Sequence, residues 1–204
     1  MMAVFYILAI VLSVTVHEFC HAKTADRLGD PTPEAAGRVT LNPKAHLDPL
    51  GSILFLLIGF GWGKPVPFDP YNLKNPQKDA AIISLAGPAS NFIMAIVCSL
   101  FLRLFGFGQF EPGTVASIVR TFLEIFIWIN LVLGTFNLLP FAPLDGFRVI
   151  GGILSEKQAP QWYSLERYGF LFLMFFIFPI VGGRSMLDIF VLPTIKFLSG
   201  FLIP

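Results

Sequence analysis

The chain has 204 residues, of which 55% are hydrophobic and only 13% are charged, and it contains 23 Phe. Because a soluble domain carries about a quarter charged residues, this composition predicts an integral membrane protein and excludes an ordinary soluble one. The formal net charge of +1 gives no reason to expect nucleic acid as a partner.

The first apolar segment runs from about Met2 to Ala25 and contains an H-E-x-x-H run from His17 to His21. The residues before His17 carry no charge, so a helix there is apolar on every side, which is typical of a membrane span. On a helix the two histidines project from one face, a spacing that lets both imidazoles bind one zinc ion. Glu18 then lies beside the metal, where it can accept a proton from water. The alternative is a helix end whose polar side chains only reach the membrane interface.

A polar stretch follows, in which Arg38–Leu41 could form a short strand and His46 is interpreted as a surface histidine. The second apolar segment, Pro49–Phe60, is too short to span, since a helix needs roughly 20 residues to cross the hydrocarbon. The glycines and prolines of Gly59–Phe68 oppose a stable helix. We therefore expect a re-entrant element, and non-helical backbone inside a membrane is tolerated only against protein or a water-filled cavity. This element is expected at the active site.

Four further apolar segments complete the chain: Ala80–Leu104, Val115–Leu139, Tyr168–Val181 and Leu187–Ile203. The predicted fold is an all-α integral membrane bundle of about five to six transmembrane segments, with a re-entrant β-loop or short helix between segments one and three. We expect a single domain over residues 1–204, with a core in 1–150 and two accessory membrane segments in 165–204. Glu124 lies one turn after Arg120 inside segment four, which predicts an ion pair between them.

A catalytic zinc usually has three protein ligands, so the two histidines need a partner from another segment. Asp145 is the best candidate, because it follows a long apolar run in a proline-broken stretch without an obvious basic partner. Its carboxylate reaches the histidines only if segments one and four end on the same face of the membrane. Segment three then supplies the single crossing between them, and segment two must be re-entrant. The alternative is a structural carboxylate at a helix end.

The basic residues test this topology independently. With segment two re-entrant, ten Lys and Arg lie on one side and three on the other, whereas a spanning segment two gives seven and six. Cytoplasmic loops carry the excess of basic residues, so we expect the metal nearer the cytoplasmic face. The ten are Lys23, Arg27, Arg38, Lys44, Lys64, Lys74, Lys78, Arg148, Lys157 and Arg167, and the three are Arg103, Arg120 and Arg184.

Three separated patterns now stand in order along the chain: His17-Glu18-x-x-His21, Gly87-Pro-x-x-Asn91 and Asn137-x-x-Pro140-x-x-x-Leu-Asp145-Gly146. They resemble the signatures of the site-2 protease family, the intramembrane zinc metalloproteases of peptidase family M50. The resemblance covers nearly the whole chain and is closest to the short bacterial and archaeal members, since the chain leaves no room for a PDZ or CBS domain.

The resemblance implies one zinc ion per chain, bound by His17, His21 and Asp145. It also implies that Glu18 is the catalytic base and that Asn137 holds the substrate backbone or the developing oxyanion.

The resemblance further implies that the glycine-rich stretch, with Gly61, Val66 and Phe68, is a β-loop that pairs with an unwound substrate strand. Asn91 is a further candidate for substrate binding. For Asn91 and Asn137 the alternative is hydrogen bonding between helices, because amides often join membrane helices in this way.

The expected function is an intramembrane zinc endopeptidase of a prokaryotic membrane that hydrolyses peptide bonds in or near transmembrane helices of its substrates. One alternative is a zinc-binding scaffold or chaperone for such helices, which would not need the base Glu18. Another is a transporter or channel, which the absence of an internal repeat disfavours.

Overall fold

The computed structural model describes residues 1–58, 61–105, 111, 113–179 and 182–204. The regular structure of these residues is helical, and no strand longer than an isolated bridge occurs among them. The α-helices are α1 Met2–Arg27, α2 Thr32–Ala35, α3 Pro49–Ile58, α4 Pro76–Leu104, α5 Val115–Asn137, α6 Asp145–Ile153, α7 Ala159–Tyr163, α8 Gly169–Ile177 and α9 Leu192–Leu202. Short 3₁₀ turns cover Pro43–Ala45, Pro70–Asn72 and Ser164–Tyr168, and a π-helical turn covers Leu187–Val191.

Three helices, α1, α4 and α5, are long and apolar enough to cross a membrane, with 26, 29 and 23 residues. Helices α3, α8 and α9 have 10, 9 and 11 residues, fewer than the roughly 20 that a spanning helix needs. The all-helical class is therefore confirmed, and the count of five to six spans stays a prediction. The predicted segment ending at Val181 reaches beyond the described residues, where α8 ends at Ile177.

Helix α4 lies at the centre of the bundle and contacts α1, α5 and α6. Its C-terminal half packs with α5 and the C-terminal helices around a buried apolar cluster, whose members are Ala95, Leu102, Ile127, Leu131, Val191 and Ile195. Many large apolar side chains on the same helices remain exposed, as expected where lipid is the solvent. The N-terminal half of α4 faces α1 and α6, and the buried polar residues of the site lie there.

The predicted strand at Arg38–Leu41 is wrong, because this segment turns and the N–H of Thr40 bonds to the carbonyl of Arg38 at 2.9 Å. The surface position expected for His46 is also wrong, since its side chain is 0% exposed. His46 Nε2 donates to the carbonyl of Thr40 at 2.7 Å. The segment after α3 covers this polar stretch. Side chains of the polar stretch therefore make buried hydrogen bonds.

After α3 the chain returns to the point where that helix began. Leu47 and Gly63 form an antiparallel bridge, and the N–H of Lys64 donates to the carbonyl of His46 at 2.8 Å. A Cβ at Gly51 would lie 2.2 Å from the carbonyl oxygen of Trp62, so two backbones touch here. We call residues 61–68 the returning loop. The predicted stretch also includes residues 59 and 60, which lie outside the described residues.

The predicted ion pair inside α5 is confirmed. Arg120 Nε lies 2.7 Å from Glu124 Oε1.

Asp30 ties the end of α1 to the segment that precedes α4. Its buried carboxylate accepts hydrogen bonds from the N–H and hydroxyl of Thr32, the N–H of Asp69 and the amide of Asn72, at 2.6–3.0 Å. Burial alone would raise the pKa of Asp30, but these hydrogen bonds outweigh it and hold the pKa below its ordinary value. The ionised carboxylate therefore stabilises the fold.

We expect Asp30→Asn to lower the free energy of unfolding by about 1–3 kcal/mol at neutral pH, because its NH₂ group would face the N–H of Asp69. Since the folded pKa is lowered, the contribution is present above the unfolded pKa of about 3.9 and is lost as the pH falls through the folded value. Thermal unfolding in detergent over a pH series measures both effects.

Asp26→Asn is the matched control, because Asp26 pairs with Lys23 at the partly exposed surface of α1. That pair is worth about 0–1 kcal/mol. Equal losses in the two variants, or a loss at Asp30 that does not shrink in acid, would contradict the expectation.

Candidate active site

Helix α1 brings His17 and His21 together inside the bundle, one turn apart. His17 Nδ1 donates to Asn91 Oδ1 at 2.6 Å, and His21 Nδ1 donates to the carbonyl of Ile83 at 2.7 Å. The carbonyl can only accept, and Asn91 uses its NH₂ group for another bond, so the hydrogen-bond network assigns the proton to Nδ1 in both rings. The Nε2 atoms of both rings therefore carry lone pairs, and they lie 3.0 Å apart.

Asp145, the first residue of α6, places its carboxylate against both rings. Its Oδ2 lies 3.1 Å from His17 Nε2 and 3.3 Å from His21 Nε2. Ligand atoms at tetrahedral zinc, with bonds of about 2.0–2.2 Å, lie roughly 3.3–3.6 Å from each other. Three acceptor atoms this close repel one another unless a cation sits between them. The donor set and its spacing thus fit a zinc ion.

Among the described residues this is the one group of three His, Cys, Asp or Glu side chains that could hold a metal ion. A carboxylate binds a metal ion in its ionised form, and neutral imidazoles bind through the lone pair of Nε2, so the protonation states assigned here suit a cation.

Gly87 of α4 makes the space in which the ligand atoms meet. A Cβ at this position would lie 2.3 Å from His21 Nε2 and 2.6 Å from His17 Nε2. No side chain larger than hydrogen fits between α4 and the two imidazoles, so the glycine keeps this face of the site open.

A chain of amides crosses the bundle behind His17. Asn91 Nδ2 donates to Asn130 Oδ1 at 2.8 Å, and Asn130 Nδ2 donates to the hydroxyl of Ser13 at 2.9 Å. All three side chains are buried, and they join α4, α5 and α1. This orients the Asn91 carbonyl, and through it the ring of His17, in the manner of outer-shell partners of metal ligands.

Helix α6 is held so that Asp145 faces the histidines. At its far end Gln77 Nε2 donates to the carbonyls of Gly151 and Leu154, at 2.7 and 2.8 Å. At its start Gly146 packs directly on the chain that leaves α5, since a Cβ there would lie 2.2 Å from the carbonyl oxygen of Leu138. Both contacts fix the height and rotation of the helix that carries the carboxylate.

A cavity of about 200 Å³ opens beside the metal-binding group. Glu18 lines it together with residues of the returning loop and of the α5–α6 connection. The lining side chains are His17, Glu18, His21, Pro65, Val66, Phe68, Ile83, Ser84, Asn137, Pro143, Leu144, Asp145 and Arg148. The guanidinium of Arg148 lies 4.7 Å above the ring of Phe68 at this cavity.

The candidates for substrate binding lie at different places. Val66, Phe68 and Asn137 line the cavity, and Asn137 Nδ2 donates to the carbonyl of Leu133 in its own helix at 3.0 Å. Asn91 is fully buried behind His17, and Gly61 is not among the lining residues. The roles of these residues stay predictions.

The sequence-based predictions missed Asn130, Gln77 and the carbonyl of Ile83. Asn130 had a signal, because an amide in the middle of an apolar span needs a partner. Gln77 lies in a polar segment, where nothing in the sequence distinguishes a buried side chain from a solvated one.

Comparison with known proteins gives consistent results. The model of the family described as Peptidase family M50 matches residues 5–178. The Bacillus subtilis (strain 168) protein named "Putative zinc metalloprotease YwhC" is 39% identical over 178 residues, 86% of this chain and 81% of that protein. The Mycolicibacterium smegmatis protein named "Putative zinc metalloprotease Rip2" is 30% identical over 166 residues, 78% of this chain and 61% of that protein.

"Zinc metalloprotease MJ0392" of Methanocaldococcus jannaschii is 29% identical over 155 residues, 76% of this chain but 35% of that protein. No solved structure matches this chain significantly.

We expect Gly87→Ala to abolish stoichiometric zinc binding, because the added methyl group would occupy the space between the two Nε2 atoms. Metal analysis of the purified protein measures the zinc content. Gly200→Ala is the matched control, since a Cβ at that helical glycine meets no described atom within 4 Å. A Gly87→Ala protein that still holds one zinc ion per chain would contradict the site.

Proposed function

This chain belongs to peptidase family M50, and we propose that it is an intramembrane endopeptidase that hydrolyses peptide bonds in or near the transmembrane helices of membrane proteins. It is a zinc metalloprotease with apolar helices long enough to cross a membrane. The observation that carries the proposal is the meeting of Asp145 with His17 and His21 within the helical bundle, beside Glu18.

We assign His17, His21 and Asp145 as the ligands of one zinc ion per chain. When bound, zinc lowers the pKa of water toward about 7, so that hydroxide forms at neutral pH. Glu18 lines the cavity at the metal-binding group, where its carboxylate accepts a proton from the attacking water and later delivers it to the leaving amine.

Asn137 lines the same cavity as Asp145 and Glu18. Its amide is neutral and carries a second N–H besides the one bonded to Leu133, so it can donate to a carbonyl oxygen on which negative charge develops. We assign it to the substrate backbone or to that oxyanion. The contact of Asn91 with His17 favours a positioning role for Asn91 over direct contact with the substrate.

The substrate helix must unwind before it is cut, because its carbonyls are otherwise bonded within the helix. The returning loop is suited to receive the freed strand. The backbone N–H and carbonyl groups of Val66 and Phe68 have no partner in the described part of the chain, and both residues line the cavity. Strand addition at these residues would satisfy both backbones.

We propose that the metal-binding group lies nearer the cytoplasmic face of a prokaryotic membrane. The basic residues support this placement, as does the pairing of Leu47 with Gly63, which brings the chain back after α3. A spanning α3 would put these two residues on opposite faces.

The alternative function is a scaffold or chaperone that binds transmembrane helices around a structural zinc. A structural zinc site is closed by four ligands, whereas three protein ligands leave a position open. The three-residue group and the carboxylate of Glu18 at an open cavity favour a hydrolase.

We expect Glu18→Gln to lower the cleavage rate by roughly 10²–10⁴-fold, the usual contribution of a general base, and to keep its zinc. Asp145→Asn should lose both zinc and activity. The assay uses proteoliposomes with a fluorogenic peptide whose single apolar helix carries Gly-Pro at one end. Full zinc with no cleavage by the wild type would favour the scaffold, and cleavage by both variants would end the protease proposal.

We expect single cysteines at positions 44 and 74 to react with a membrane-impermeant maleimide from the same, cytoplasmic face. Both positions are exposed, and a cysteine at the exposed position 115 should react from the opposite face. The background replaces Cys20 and Cys98 with serine, and right-side-out and inverted vesicles are compared. Labelling of positions 44 and 74 from opposite faces would mean that α3 is part of a full crossing.

A further inference from the structure

Arg38 is a buried cation that belongs to none of the motifs of the active site. Its side chain is 4% exposed, and its guanidinium lies between Glu18 and the returning loop. A buried guanidinium stays charged and costs free energy unless its donors are used. The contacts it makes therefore indicate what it is for.

The guanidinium donates its strongest hydrogen bonds to the returning loop. Nη1 donates to the carbonyl of Pro65 at 2.8 Å, and Nη2 donates to the carbonyl of Lys64. The distance from Nη2 to Glu18 Oε2 is 3.9 Å, which is beyond hydrogen-bond range. Arg38 thus attracts the carboxylate of Glu18 through charge alone. It holds the returning loop by hydrogen bonds to two consecutive carbonyl groups.

His46 supports the same arrangement from behind. Because its Nε2 donates to Thr40, its Nδ1 carries a lone pair, and this atom lies 3.5 Å from Arg38 Nη2. The carbonyl of His46 accepts from the N–H of Lys64 at 2.8 Å. Arg38 and His46 together therefore use all the backbone hydrogen-bonding groups of Lys64 and Pro65, since proline has no N–H.

The free part of the loop begins immediately after these two residues. Val66 and Phe68 keep unpartnered backbone groups in the described part of the chain, and Pro67 between them cannot donate. The loop also lies close to the base, since a Cβ at Gly63 would be 3.7 Å from Glu18 Oε1. The distance from the free edge to Glu18 thus depends on how firmly residues 64 and 65 are held.

We propose that Arg38 is a positioning residue that fixes the returning loop above Glu18, so that an unwound substrate strand pairs at Val66 and Phe68 only. This rests on the proposed function and adds to it: the site takes a short unwound segment in one register. Loss of the Arg38 bonds therefore weakens substrate binding and leaves the zinc ion and the base in place.

The test compares Arg38→Gln and Arg38→Lys with the wild type, using the fluorogenic helix peptide described above. We expect full zinc in both variants. In Arg38→Gln, KM should rise roughly tenfold to a hundredfold, the factor that corresponds to lost hydrogen bonds to a charged group, with kcat nearly unchanged. Arg38→Lys keeps the charge and one donor group, so its KM should lie between those of the other two proteins.

Hydrogen exchange of the backbone amide of Lys64, which donates to the carbonyl of His46, supplies a readout that needs no substrate. It should be faster in Arg38→Gln than in the wild type. Arg27→Gln is the matched control, because Arg27 lies in the last turn of α1 away from the cavity, and it should change neither KM nor exchange.

A fall in kcat at unchanged KM would mean that Arg38 acts on the base Glu18 and not on the loop, and would overturn the proposal. Unchanged KM and unchanged exchange would overturn it as well. Failure of the wild type to cleave the peptide would count against the proposed function, while the exchange comparison would still decide whether Arg38 holds the loop.

Discussion

Two imidazole nitrogens and one carboxylate oxygen lie about 3 Å from one another inside a bundle of apolar helices. All three atoms are acceptors, so their closeness is unfavourable without a cation among them. Several features around these atoms serve this constraint. Gly87 leaves the space, the carbonyl of Ile83 fixes one ring, and Asn91 fixes the other. The three acceptor atoms lie within a few ångströms of one another, but the packing of the helices sets their positions.

The buried amides show how an apolar bundle carries polar groups at acceptable cost. Asn91, Asn130 and Ser13 form one connected chain from His17 across three helices. A half-satisfied network would be worse than an apolar core, whereas a connected one orients each member. The same residues that join the long helices thus also orient the ring of His17, so helix packing and site geometry depend on one network.

Much of this arrangement could be predicted from the sequence. For each residue that could not be predicted there is a physical reason. The spacing of His17 and His21 is fixed by the helix itself, and the apolar runs predict the three long helices. The proximity of Asp145 was predictable from the need for a third ligand and from the number of crossings. Arg38 and His46 were not, because their burial is created by the loop that folds over them after α3. Ile83 contributes a carbonyl, which no side-chain pattern reveals.

Helix α4 contacts both histidines of the candidate metal-binding group and the helix that carries Asp145. Gln77 holds the helix of Asp145, and Ile83, Gly87 and Asn91 meet the two histidines. These four positions span about 21 Å of a continuous helix. If the bilayer thins or the bundle tilts, His17, His21 and Asp145 would therefore move together with α4. Their mutual distances would then be insensitive to changes in lipid composition.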